Sequence, residues 1–129
     1  MPENTENNGK LKKVLDVSIW VLTRICRKQP ILDFEVEKSI MRMFIFAIEN
    51  NVVNDSIILR DICFNIAYFT DYKIDRIKFL QKVSIIVDSG ILKKILDYAE
   101  SSFETLVITC LKILSDVAFG NDNHKDYLI

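Results

Sequence analysis

Glycine, proline and histidine are scarce in this chain: 3, 2 and 1 in 129 residues. So few breakers exclude a many-turned β fold and favour long, uninterrupted helices, because both prolines lie outside the periodic segments. A single histidine, His124, and 3 cysteines with no Cys-x-x-Cys spacing leave no metal-ligand set. An odd cysteine count among helical apolar neighbours points to reduced thiols at Cys26, Cys63 and Cys110. No excess of one charge is present: 17 Lys and Arg stand against 18 Asp and Glu, for a net charge of −1. That argues against nucleic-acid and membrane-surface partners. No apolar run reaches the roughly 18 residues of a membrane span. The opening MPENTENNGK has no hydrophobic core, so residues 1–10 read as a disordered tail rather than a secretory signal. Gly-rich phosphate loops, nucleophile elbows and histidine pairs are missing, so neither an enzyme nor a cofactor is expected.

What the chain does have is one helix written three times: Val14–Arg27, Ile58–Asp71 and Leu106–Phe119. With Trp20, Phe64 and Lys112 in register, Leu15 matches Leu59 and Val107, Leu22 matches Ile66 and Leu114, and Ile25 matches Phe69 and Val117. The period of about 44–48 residues is that of helical solenoids. A solenoid buries its core between neighbouring repeats and offers the remaining face to a partner, so binding is expected rather than chemistry. The expected fold is all-α: a right-handed armadillo-type solenoid of about two and a half repeats over residues 11–129.

Helical periodicity predicts six helices, over Leu11–Lys28, Glu35–Asn50, Asn54 or Asp55 to Thr70, Ile74–Val87, Ile91–Ala99 and Phe103–Ala118. Gln29-Pro30 ends the first. Asn54 or Asp55 caps the third. Asp88-Ser89-Gly90 ends the fourth, and Ser101-Ser102 with Glu104 restarts the sixth. The first helix is expected to bury Val14, Leu15, Ser18, Leu22 and Ile25. Lys93-Lys94 and the charged run Asp71–Lys78 read as solvated helix faces. Residues 120–129 begin another turn, in which His124 is expected to be solvent-exposed rather than catalytic.

On a helical wheel Trp20 falls opposite the expected core stripe, among Lys13, Asp16, Arg24 and Arg27. Phe64 and Tyr68 repeat the placement, flanked by Arg60, Asp61 and Asp71, and Lys112 and Asp116 stand at the same two positions of the third copy. Each pair is spaced i, i+4 and shares a face. The functional reading is a ladder in which aromatic faces hold Lys or Arg side chains of a peptide while Asp61 and Asp116 neutralise them. The bland reading is that Trp20 and Phe64 pack against an adjoining helix.

These residues resemble importin-α (karyopherin-α), the armadillo-repeat adaptor of nuclear import, whose third helices carry Trp-x-x-x-Asn along an inner groove. Ile19–Arg27 looks like one such helix, followed by Lys28-Gln29-Pro30 and Asp33-Phe34. Asp61-Ile62-Cys63-Phe64-Asn65-Ile66-Ala67-Tyr68 is similar to the next repeat's Asp-Ala-Cys-Trp-Ala-x-x-Tyr. Val87-Asp88-Ser89-Gly90 matches the Asp-x-Gly turn, and Phe119-Gly120-Asn121-Asp122 the Gly-Asn-Asp closing a third helix. The resemblance spans nearly the whole chain and implies binding of basic nuclear localisation signals in a groove lined by Trp20, Arg24, Asp61, Phe64, Tyr68, Lys112 and Asp116. It also implies a place in cytoplasm and nucleus, and further transport factors as partners. The sequence departs at the Asn positions, where Arg24 and Asp116 stand, and at Phe64 in place of Trp. The family's basic importin-β-binding segment is not found.

Two functions remain open on the residues alone: an adaptor for basic linear peptides, and an armadillo- or HEAT-like scaffold that binds no signal peptide. Pairing between Arg24 and Asp61 is the feature that discriminates them. In either case the two ends of the repeat stack are expected to be apolar and prone to self-association.

Overall fold

The structure, a computed structural model, describes residues 5–28 and 33–120. Six helices and no strand occur among them: α1 (Thr5–Lys28), α2 (Phe34–Glu49), α3 (Ser56–Phe69), α4 (Phe79–Ser89), α5 (Leu92–Tyr98) and α6 (Glu104–Gly120). The Gln29-Pro30 break, most of the connection after it, His124 and the stub over 121–129 lie outside the described residues.

Local chemistry sets several helix ends. Asp33 Oδ1 accepts the Glu35 N–H at 2.8 Å, and Glu35 and Glu37 in the first turn of α2 complement its positive end. Asp55 is the cap of α3, its carboxylate accepting from Ile57 N at 2.8 Å and Ile58 N at 3.3 Å. Asn51, at φ 51°, makes the left-handed turn after α2, a conformation asparagine tolerates. Gly90, at φ 82°, closes α4. Ahead of α6, the Ser101 hydroxyl accepts the Phe103 N–H at 3.2 Å.

The boundaries depart most from the sequence-based expectation at the starts of α1 and α4. The tail expected over residues 1–10 gives way to helix from Thr5. Once a helix is nucleated each further residue adds a backbone bond at small cost, so polar residues can extend it. The fourth helix starts at Phe79 instead of Ile74. Asp71 Oδ1 accepts from Lys73 N at 2.9 Å and Asp75 Oδ1 from Lys78 N at 3.1 Å, so two side-chain-closed turns replace the first helical turns. The run Asp71–Lys78 is therefore a turn region, not a solvated helix face. α5 is one residue shorter at each end than Ile91–Ala99.

The core joins Phe44 and Ile48 of α2, Ile62, Cys63 and Ile66 of α3, Val83 and Ile86 of α4, Ile95 of α5, and Cys110, Ile113 and Val117 of α6. Burying each large side chain among these contributes roughly 1.5–3 kcal/mol. α3 is central, packed against α1 on one side and α6 on the other, and α6 also packs against α4 and α5. Cys63 contacts Cys110, and farther along Thr70 contacts Asp116, so α3 and α6 run parallel.

The buried face of α1 is rotated from the one expected. Ile19 and Thr23 are buried, and Leu22 and Cys26 pack partly against the core. Val14, Leu15, Ser18 and Ile25 are exposed. Because α1 carries apolar residues on more than one face, periodicity could not select between them; contact with α3 does.

Candidate functional site

The residues singled out in the sequence lie on α1, α3 and α6, the three helices that pack side by side. The joints between these helices are polar. Asn65 of α3, buried, donates Nδ2–H to the Thr23 carbonyl of α1 at 3.4 Å and to its own Asp61 carbonyl at 2.8 Å. Thr70 at the end of α3 donates its hydroxyl to Asp116 Oδ2 of α6 at 3.2 Å. These bonds fix which residues of neighbouring helices stand opposite one another.

Trp20 is 42% exposed and Phe64 43%. They are linked through charge: Arg24 lies over the Trp20 ring, 5.2 Å from its centroid, and reaches Asp61 across the α1–α3 joint at 3.5 Å. Asp61 is buried beside Phe64 and takes a second cation, Arg60, at 3.2 Å. Neither Arg24 Nε nor Asp61 Oδ2 has a hydrogen bond, so the Arg24–Asp61 contact is coulombic. Phe64, Arg60 and Asp61 line a shallow depression of ≈ 320 Å³, closed by Thr105, Ile108 and Thr109 of α6.

At the α6 end, Lys112 lies 2.6 Å from Asp116 and 3.8 Å from Asp71. Burial pushes the Asp116 carboxyl up, and the bonds from Lys112 and Thr70 oppose that shift. Tyr68 is half-buried on α3. The structure thus brings Trp20, Arg24, Asp61 and Phe64 into one chain of contacts, and Lys112 and Asp116 into a second. Asp61 and Asp116, the carboxylates expected to neutralise a ligand's cations, are both buried and held by cations of this chain. Packing demands it, since a carboxylate at a helix joint is desolvated and must be paired. The side chain of Arg27 lies outside the described residues.

A charge cluster absent from the sequence reading sits behind this face. Lys82 of α4 is buried, with Nζ 3.1 Å from Glu37 of α2, 3.3 Å from Asp75 and 5.1 Å from the Phe69 ring centroid of α3. The sequence signal was present: Lys82 falls on the same stripe as Phe79, Val83 and Ile86, where a lysine is buried only if paired. Among the described residues no His, Cys, Asp or Glu group could hold a metal ion, and no helix is long and apolar enough to cross a membrane. No family model, curated protein or solved structure matches the chain.

Proposed function

We propose that this chain is a binding module built as part of a right-handed armadillo-type solenoid of about two and a half repeats. In this reading it acts, in the manner of importin-α, as an adaptor for basic linear peptides in protein import into the nucleus, moving between cytoplasm and nucleus and meeting other transport factors. The observation that carries it is the pair of half-exposed aromatics, Trp20 and Phe64, at matched positions on adjoining helices. No chemistry is assigned to the face, and no nucleic acid or membrane is part of the reading.

Arg24 gives the site a specific property. Its guanidinium occupies the Trp20 ring face, where a lysine or arginine of a peptide would stack. A basic ligand must displace it toward Asp61, and Arg24 then stays beside the ligand as a like charge. Affinity for a basic peptide is therefore self-limited, and removal of Arg24 raises it.

A second reading is favoured by the Arg24–Asp61 pair itself: with the carboxylates of the face already neutralised, a scaffold surface for partners without basic signals fits the charge arrangement. Calorimetry with a Lys/Arg-rich signal peptide separates the two. On the adaptor reading Trp20→Ala weakens binding by roughly 1–3 kcal/mol, Arg24→Asn strengthens it, and added salt weakens it. If neither substitution changes the affinity, the scaffold reading stands.

A further inference from the structure

The three repeated helices pack in series, α1 on α3 and α3 on α6, and the matching positions left over on α1 and α6 lie on opposite sides of that series. On the side that meets α1, α3 presents Ile58, Asp61 and Asn65, half-buried or buried. Their counterparts on α6, which meet α3, are Leu106, Thr109 and Ile113, again half-buried or buried. The counterparts on α1 are Val14, Val17 and Val21, which are 63%, 60% and 41% exposed.

The opposite side behaves the same way in reverse. Asp16, Ile19 and Thr23 of α1 and Arg60, Cys63 and Ala67 of α3 are half-buried or buried. Their counterparts on α6 are Ile108, Leu111 and Ser115, all exposed. So, among the described residues, α1 carries an unmatched acceptor face and α6 an unmatched donor face, each in register with the joints between α1, α3 and α6. Both leftovers are more apolar than the internal positions they copy: valines stand where α3 has Asp61 and Asn65, and Ile108 stands where α1 has Asp16. A face meant for water would run the other way.

The charges complete the match. On α1 the stripe is Lys10, Val14, Val17, Val21, and on α6 it is Glu104, Ile108, Leu111, Ser115, with the same spacing. α3 and α6 run parallel, and a parallel joint of the same kind brings Lys10 of one chain beside Glu104 of the next. Pairing α1 with a second α1 sets valine against valine, outside the register of the joints the chain already makes.

From this we infer that a second copy of this chain docks head to tail, the Ile108–Leu111 face of α6 seating on the Val14–Val17–Val21 face of α1. It continues the α1–α3–α6 series from one molecule to the next. The groove of ≈ 430 Å³ between α1 and α2, lined by Leu15, Leu22, Met43, Phe46 and Val52, adjoins the α1 face and takes the apolar side of the incoming α5, where Leu96 is exposed. Such an interface is heterologous and does not close on itself in a dimer, so it propagates with concentration. The assignment goes beyond the peptide-binding reading and does not rest on it: Val17 and Leu111 stand outside that site, and the two surfaces share only an edge, where Ile108 borders the depression beside Phe64 and Val21 adjoins Trp20.

Sedimentation equilibrium of the full chain and two variants tests it. The wild type should rise with concentration from 15.0 kDa past the mass of a dimer. Val17→Asp, which spoils the α1 face, and Leu111→Asp, which spoils the α6 face, should each stay monomeric with unchanged helical circular dichroism, since both positions are exposed. Mixed, they should form a dimer and nothing larger, because each variant keeps the half its partner lacks. A wild type that remains monomeric at every concentration overturns the inference and leaves these faces to helices of another protein. A wild type that associates while the mixture stays monomeric overturns it too, because the contact is then not head to tail.

Discussion

Arg24 on α1 and Asp61 on α3 stand 3.5 Å apart across a helix joint, the guanidinium half-exposed and the carboxylate buried. Asp61 has a second cation, Arg60, at 3.2 Å, and this redundancy has a measurable consequence. Arg24→Gln or Arg60→Gln alone leaves the carboxylate paired and should cost under about 1 kcal/mol. Together they strand a buried charge and should cost about 3–5 kcal/mol. Urea denaturation of the two single variants and the double variant should therefore show strong non-additivity; small additive effects would mean that water reaches Asp61.

The Lys82 cluster predicts an acid limb to stability. The Lys78 backbone N–H, with the Lys82 ammonium behind it, holds the Asp75 carboxyl below the usual carboxylate range, against a smaller opposing effect of burial. A carboxyl with a lower pKa in the folded than in the unfolded state contributes stability that is complete above its unfolded value of about 4. That contribution is lost as pH falls through the folded value. Unfolding free energy measured downward from neutral pH should fall less steeply for Asp75→Asn than for the wild type, and parallel curves would remove Asp75 from this role.

The three thiols should differ in reactivity. Burial, with a smaller effect of Glu37, raises the Cys26 thiol. Contact with Cys110 and then burial raise the Cys63 thiol further. Thiolate is the reacting species. An aromatic disulfide reagent at neutral pH should modify half-buried Cys26 in the native protein, while Cys63 and Cys110 react only in denaturant. Three equally fast thiols would show that the α3–α6 joint opens readily.

Gly90→Ala should destabilise the protein by about 1 kcal/mol, because a Cβ at φ 82° is strained. No atom lies within 4 Å of the added Cβ, so the cost is one of backbone conformation alone. Gly90→Asn should recover part of the loss in thermal unfolding.

Legibility in the sequence followed the range of the interaction. Asp55 and Gly90 act within a few residues of themselves, and the start of α3 and the end of α4 were readable from them. The start of α4 was missed because Asp75 reads equally well as a helical surface residue until its carboxylate is seen to close a turn. The burial of Ile19 and Thr23 in place of Leu15 and Ile25 depends on where α3 lies, information that a helix with several apolar faces does not carry. The aromatic half of the candidate face was visible, since Trp20 and Phe64 stand out as half-exposed aromatics at matched positions. Its charge half was not, because Arg24–Asp61 and Thr70–Asp116 join residues 37 and 46 positions apart.

The polar bonds between α1, α3 and α6 also give the stack a mechanical character. Asn65 grips the Thr23 carbonyl at one joint, and Thr70 grips Asp116 at the next. Sliding one helix lengthwise past its neighbour by a turn of about 5.4 Å breaks such a bond outright. Rocking the helices about the same point stretches it only slightly. The two bonds therefore oppose lengthwise sliding of α1, α3 and α6 more than a small change in the angle between them.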